Sequence, residues 1–264
     1  MIQAAPRGTA CAVCGGNTVN QFSKEHMGAK VDYYRCLVCD HLTAGDISDV
    51  PNYDRDTYFA EIDTGWQDRN RGVLEFIVLL SRLPGINFHR KSVILDYGCG
   101  IGTLVRSLNA AGFDTYGFEP YQESLETPER IVRDWNHARN VIERANLVTC
   151  IEVLEHLRNP DEVLDRVSRL LDADGYLFIS TEPYIRRKHE SDWYYLNPAA
   201  GHVSIYTEKS LLFLMSRHRF LPIFRVNGST WLFRLVTRRR KNWFESSYYL
   251  ASQLRVKLGI RVRY

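Results

Sequence analysis

From residue 92 to residue 181 the chain alternates short, β-prone apolar runs with helical patterns, and no other feature constrains its fold so strongly. The runs fall at 92–97, 114–118, 130–133, 147–151 and 176–181, with helical patterns at 102–111, up to 144, and at 160–171. Strands separated by helices must be joined by crossovers, which calls for an α/β fold with a mostly parallel sheet and helices on both faces. A helix over 210–217 precedes two further β-prone runs, 221–226 and 230–236. These lie too close together for a helical crossover, so an antiparallel hairpin at the sheet's edge is expected. Upstream, Val73, Phe76, Ile77 and Leu80 recur at i, i+3, i+4 and i+7, predicting a helix over 70–83 that Pro84-Gly85 stops.

The first 45 residues obey a different constraint. Cys11-Ala-Val-Cys14 and Cys36-Leu-Val-Cys39 are two CxxC pairs separated by a 21-residue insert, which is zinc-ribbon spacing. Two such knuckles bring four thiolates into a tetrahedron around one Zn²⁺, and a sphere closed by four thiolates is structural. The metal supplies folding energy that so short a segment lacks. Reduced thiols paired by chance are the competing reading. With 45% hydrophobic and 25% charged residues, the composition excludes a largely disordered chain. The longest apolar stretch, 73–80, is broken by Glu75 and is too short to span a bilayer. Residues 1–10 hold no apolar signal region, so a cytoplasmic location with reduced thiols is expected. The net charge of +3 is uneven, because from Arg234 onward nine basic residues face Glu245 alone and the preceding 233 residues carry −5. That tail interleaves Trp243, Phe244, Tyr248 and Tyr249 with arginines, a mixture suited to a solvated face, to nucleic acid or to peripheral membrane contact.

Leu95-Asp96-Tyr97-Gly98-Cys99-Gly100-Ile101-Gly102 joins the first strand of the alternation to its helix. Glycines permit a tight turn and close approach of a ligand to backbone N–H groups at a helix start. Glu119 ends the second strand, where a carboxylate can accept from both hydroxyls of a ribose. Asp96 precedes the glycines, where it would repel a pyrophosphate and welcome a cationic amino-acid moiety.

The segments 93–103 (VILDYGCGIGT), 117–120 (GFEP), 149–157 (TCIEVLEHL) and 175–181 (GYLFIST) together resemble the successive motifs of class I S-adenosylmethionine-dependent methyltransferases. The resemblance covers roughly residues 70–237. It implies a Rossmann-like, seven-stranded sheet with an antiparallel C-terminal hairpin. A zinc ribbon followed by Tyr53, Tyr58 and Phe59 is similar to bacterial methyltransferases associated with sugar, capsule or secondary-metabolite pathways. By this resemblance Gly98, Cys99, Gly100 and Gly102 bend around the methionine part of the cofactor, Asp96 faces its amino group and Glu119 takes the ribose. Asp134 meets the adenine amino group with Trp135 beside the ring, and Cys150 and Ile151 lie beneath the sulfonium. Cys99, Cys150 and Trp135 also read as core filling. Asn146 stands where the family commonly has aspartate, a structural position.

Glu152, Glu155 and His156 are spaced i, i+3 and i+4, so a helical turn would give them one face. With His202 from Gly201-His202-Val-Ser-Ile they form a candidate set for a divalent cation such as Mg²⁺ or Mn²⁺, with His156 and His202 as candidate catalytic groups. The Glu-x-x-Glu-His element resembles the metal-binding motif of ubiquinone-pathway O-methyltransferases and of small-RNA 3′-end 2′-O-methyltransferases. Capping and packing of the turn is the other reading. The remaining histidines, His41 included, read as surface or satisfied polar residues.

The expected organisation is a zinc ribbon at 1–45, a linker and helical lid at 46–90, a cofactor-binding methyltransferase domain at 91–237 and a basic tail at 238–264. The expected reaction is methylation of a hydroxyl on a small molecule or saccharide. Two alternatives stand beside it: an RNA-modifying enzyme docking through ribbon and tail, and a cofactor-binding scaffold without catalysis. The acidic body disfavours RNA, and the intact cofactor motifs disfavour the scaffold.

Overall fold

The computed structural model describes residues 10–50, 65–121 and 130–236, which form two compact units interleaved along the chain. The expectations for Tyr53, Tyr58 and Phe59 and for the tail at 238–264 lie outside the described residues. No helix among the described residues is long and apolar enough to cross a membrane.

One unit comprises the described parts of 64–151, 165–180 and 219–264. Its elements are α1 (Trp66–Leu80), β4 (Val93–Tyr97), α2 (Thr103–Ala110), β5 (Asp114–Phe118), β6 (Ile131–Val132), α3 (Trp135–Val141), β7 (Ala145–Ile151), β8 (Leu171–Ser180), β10 (Phe220–Arg225) and β11 (Thr230–Leu235). The seven strands line up in the order β10-β11-β8-β7-β4-β5-β6. β4 pairs in parallel with both β5 and β7, through Leu95↔Tyr116 and Leu95↔Val148. β5 and β6, and β7 and β8, also pair in parallel. The antiparallel hairpin at the edge is as expected: β11 pairs with β8 and β10 with β11.

Burial explains the order. β4 is central and four of its five residues are buried, so its sequence is apolar except where it turns chemical at Asp96. α1 packs Val73, Ile77 and Leu80 into a cluster with Ile94, Leu104, Leu108, Leu147 and Phe178. This helix starts four residues before the expected boundary and stops at Leu80. β8 begins at Leu171 instead of at 176, because Ala145 already pairs with Leu171 before the register shift that follows. Asn146 ties the sheet's entry edge together: its side chain accepts from the Val93 backbone N–H at 2.9 Å and donates to Asp172 at 3.0 Å.

The other unit comprises the described parts of 1–63, 152–164 and 181–218. It contains β1 (Thr18–His26), β2 (Ala29–Cys36), β3 (Leu42–Ala44), β9 (Ser204–Ile205) and α5 (Glu208–Arg217), with α4 (Pro160–Leu170) beginning in this unit. Its antiparallel sheet runs β1-β2-β3-β9, so the cysteine-bearing segment shares a sheet with residues far along the chain. The Ala44 N–H donates to the Val203 carbonyl at 2.9 Å, and the Val203 N–H donates to the Glu155 carbonyl at 2.8 Å. Thr207, the N-cap of α5, donates its hydroxyl to the Cys39 carbonyl at 3.1 Å. A core of Val31, Tyr33, Leu42, Tyr195, Leu196 and Ile205 fills the unit. The ribbon is therefore packed into a larger body, and a boundary at residue 45 does not separate it.

His41 departs from the expectation of a surface or satisfied histidine. It is buried, neither ring nitrogen has a hydrogen-bond partner, and its ring lies 4.8 Å from that of Tyr206. Burial pushes its pKa down to about 3, so the ring stays neutral.

Asn146→Ala removes both bonds at the start of β7. Urea unfolding is expected to show a loss of about 1–2 kcal/mol, and an unchanged midpoint would contradict the role assigned to this side chain.

Candidate active site

The sheet unit gathers its polar groups at the C-terminal ends of β4 and β5. Gly98, Gly100 and Gly102 all adopt positive φ, at 76°, 53° and 75°. At Gly102 this is obligatory: it caps α2 in a left-handed conformation, and a Cβ there would sit 2.4 Å from Ile131. The Gly98 N–H donates to the Phe118 carbonyl at 2.8 Å, fixing the loop to the end of β5. Glu119 accepts from the Gly100 N–H and from the Tyr121 N–H, both at 3.1 Å, so its carboxylate is held against the loop. Asp96 is buried and accepts from the Thr149 hydroxyl at 2.7 Å. Burial raises its pKa to about 6, with the Thr149 bond opposing and the Glu119 charge adding to the rise. Thr149, which the sequence reading overlooked, is the group that orients Asp96.

The remaining expected cofactor residues differ in their surroundings. Trp135 stacks edge-on to Phe118 at 5.3 Å and lies 5.8 Å from Tyr97, forming an aromatic cluster beside the ends of β4 and β5. Asp134 is exposed and is the N-cap of α3, accepting from the His137 N–H at 2.8 Å. Cys150 is buried within β7, and Ile151 is half-buried against the sheet unit's core. Cys99 is partly buried, its thiol pushed up chiefly by burial and further by the charges of Asp96 and Glu119.

In the other unit Glu155, His156 and His202 each place one donor atom within 4.8 Å of the others. They do not converge by sharing a helical face. Leu154–His156 is a single 3₁₀ turn, and Glu152 stands before it in a left-handed conformation with φ of 53°. Glu152 is instead joined to Glu155 through Tyr195, whose hydroxyl donates to Glu152 Oε2 at 3.0 Å and also contacts Glu155 Oε1. Glu155 is fully buried and its second oxygen has no partner. Burial, then the neighbouring Glu152 charge, holds its pKa well above the ordinary carboxylate range.

The two imidazoles are arranged as lone-pair donors. Burial and the adjacent His156 lower the His202 pKa to about 3, and its Nδ1 lies 2.8 Å from the Tyr195 carbonyl. A neutral ring that donates from Nδ1 keeps the Nε2 lone pair for a ligand. His156 exposes one side, yet crowding by its surroundings still lowers its pKa. Its ring crosses that of His202 at 5.0 Å, and Gly201 permits this, since a Cβ there would come within 3.1 Å of His156 Nδ1. An orphaned carboxylate oxygen and two neutral imidazoles are a donor set that fits a divalent cation.

The cysteines form a second donor set. Cys11 and Cys39 have sulfurs 3.6 Å apart, Cys14 and Cys36 have sulfurs 3.4 Å apart, and all four lie within 4.8 Å. Ligands at about 2.3 Å around a tetrahedral centre would place neighbouring sulfurs about 3.8 Å apart, so the four thiols could hold Zn²⁺. The hydrogen bond from Cys39 holds the Cys11 thiol well below its usual value.

The Methyltransf_23 family, described as a methyltransferase domain, matches residues 66–220, more than half of the chain. The ubiquinone biosynthesis O-methyltransferase of Proteus mirabilis is 30% identical over 122 residues, covering 42% of this chain and 48% of that protein. The ubiquinone biosynthesis O-methyltransferase of Photorhabdus laumondii is 36% identical over 115 residues, covering 39% of this chain and 47% of that protein. The chain thus spans about half the length of the curated relatives it matches. Among solved structures, the 1,6-didemethyltoxoflavin-N1-methyltransferase of Burkholderia thailandensis, with its substrate and S-adenosylhomocysteine bound, is similar with a TM-score of 0.44 at 18% identity, covering 76% of this chain and 97% of that one. The family match, together with the seven-stranded sheet and its glycine loop, places the chain: it belongs to the Methyltransf_23 family and is, by family and fold, a class I S-adenosylmethionine-dependent methyltransferase.

Proposed function

We propose that this chain transfers the methyl group of S-adenosylmethionine to a hydroxyl of a small molecule or saccharide, assisted by a divalent cation held by Glu155, His156 and His202. The observation that carries the hydroxyl reading is the buried, unpartnered oxygen of Glu155 beside two neutral imidazoles. The names of the curated relatives, which are O-methyltransferases, support it. The same reading gives the four cysteines a structural Zn²⁺.

S-adenosylmethionine brings both the methyl group and its leaving group, so the protein's work is alignment and proton removal. Asp96 would pair with the cofactor's ammonium group and Glu119 would accept from the ribose hydroxyls while still holding the glycine loop. Trp135 would flank the adenine, and Asp134 would offer its other oxygen to the exocyclic amine. A cation at Glu155, His156 and His202 would lower the cost of deprotonating an acceptor hydroxyl. Where no cation is held, His156, neutral and partly exposed, would accept that proton itself, since a ring that ligates the ion has no lone pair left for it.

Asp96 gives this reading a pH signature. Its raised pKa means that the unliganded carboxyl is neutral below about pH 6 and charged above it. The same shift opposes folding as pH rises from 3.8 through about 6, since the folded state prefers the protonated acid. Cofactor affinity is therefore expected to fall by up to about tenfold per unit as pH drops below that value. Calorimetry across pH 5–8 checks this, and Asp96→Asn should abolish the dependence while weakening binding at pH 7. Affinity independent of pH in the unmodified protein would contradict the assignment of Asp96.

Metal analysis of protein purified without chelator is expected to find one tightly held zinc per chain. Cys36→Ser should lose it and raise amide exchange at Ala44, Val203 and Ile205, because β3 and β9 depend on the knuckle beside them. Zinc-free protein with unchanged exchange would remove the zinc assignment.

His202→Ala is expected to abolish Mn²⁺ binding outside the cysteine site and to leave cofactor affinity unchanged. Turnover of a hydroxylated acceptor, followed as S-adenosylhomocysteine release, should fall by about 100-fold or more if several kcal/mol of charge stabilisation are lost. Full turnover in the variant with chelator present, and with the cysteine site still filled, would overturn the cation reading.

A further inference from the structure

We infer that Tyr195 is the positioning residue of the proposed cation site, its hydroxyl setting the two carboxylates and its carbonyl setting His202. The inference rests on the cation reading above and extends it to a residue that touches none of the chemistry itself.

Tyr195 occupies a fixed place. It is only 4% exposed, whereas the preceding Tyr194 is 69% exposed, so the chain turns one ring inward and the next one out. Its ring packs in the core with Val31, Tyr33, Leu196 and Ile205, and lies 4.4 Å from the ring of His202. A ring held this way leaves the hydroxyl little freedom.

That hydroxyl meets three side chains at once. It reaches Glu152 Oε2 at 3.0 Å and Glu155 Oε1, and the Thr181 hydroxyl lies 3.1 Å away. A phenol has one proton to give, so it binds the two carboxylates as alternatives and can accept from Thr181. Two carboxylates brought to one donor repel each other, and a phenol proton placed between them offsets that repulsion and fixes which oxygen of each carboxylate faces it. With it, Glu155 Oε1 is committed to the phenol and Oε2 is left for a ligand.

The backbone of the same residue performs the second task. The His202 Nδ1–H donates to the Tyr195 carbonyl, which fixes both the tautomer and the ring orientation that expose Nε2. One residue thus sets an oxygen donor and a nitrogen donor together. Packing alone would not need the hydroxyl, since phenylalanine would fill the same volume.

The test uses the full chain with its cysteine site filled, and Mn²⁺ as the probe, counted by the electron paramagnetic resonance signal of the free ion. Tyr195→Phe keeps the ring and the carbonyl and removes only the hydroxyl. It is expected to weaken Mn²⁺ binding by about 10- to 100-fold, to leave S-adenosylmethionine affinity unchanged, and to regain turnover as Mn²⁺ is raised. Thr181→Val should weaken Mn²⁺ binding in the same direction by a smaller factor, and it carries the test if Tyr195→Phe does not fold. If the unmodified protein binds Mn²⁺ at this cluster and both variants bind it equally well, the positioning role falls while the cation reading stands. If the unmodified protein binds no Mn²⁺ there, both fall. A parallel loss of cofactor affinity would mark a general structural role and overturn the inference.

Discussion

The parallel pairing of β4 with β5 on one side and β7 on the other is the constraint on which the sheet unit depends. It places the ends of β4 and β5 side by side, so the loop after Tyr97 and the carboxylate after Phe118 must meet. Glu119 then serves the fold and the proposed cofactor site together, because the carboxylate that closes on the Gly100 N–H is the one proposed to take the ribose. Asp96 accepts the cost of burial at the one strand position where a charge is wanted, and Thr149 from the neighbouring strand stabilises it.

The second unit depends on a different interaction, the short pairing of β3 with β9. Through it the cysteine knuckles, the Glu155 carbonyl and the loop bearing His202 become parts of one hydrogen-bonded body. A four-cysteine ribbon in front of an enzyme suggests an appended module. Here its sheet instead supports the residues proposed to hold the cation, which gives the ribbon a reason to be present without any docking partner.

Much of this was legible in the sequence, for identifiable reasons. Apolar runs spaced by helical patterns gave away the parallel sheet, since buried strands must be continuous in hydrophobicity. The glycine loop, Asp96 and Glu119 were visible because backbone conformation and charge leave few alternatives for those residue types. The cysteine set was visible because its spacing is geometric. Other features could not be read. β9 is two residues long within a loop, and its pairing spans more than 150 positions, beyond any local pattern. The i, i+3, i+4 spacing of Glu152, Glu155 and His156 suggested a shared helical face, but the left-handed φ at Glu152 breaks the helix before it begins. Tyr195 carried no signal at all, because its importance arises from contacts 40 and 43 positions away. His41 looked like a polar surface residue and is buried, held there by its neighbours in β3 and the knuckle.

The most direct measurement is anomalous diffraction, above and below the manganese edge, from crystals grown with S-adenosylhomocysteine and Mn²⁺. The expected result is cofactor density against Asp96, Glu119 and the 98–102 loop, together with a manganese peak bonded to Glu155, His156 and His202. Cofactor density in place with no manganese peak at that cluster would contradict a cation-assisted hydroxyl methyltransferase.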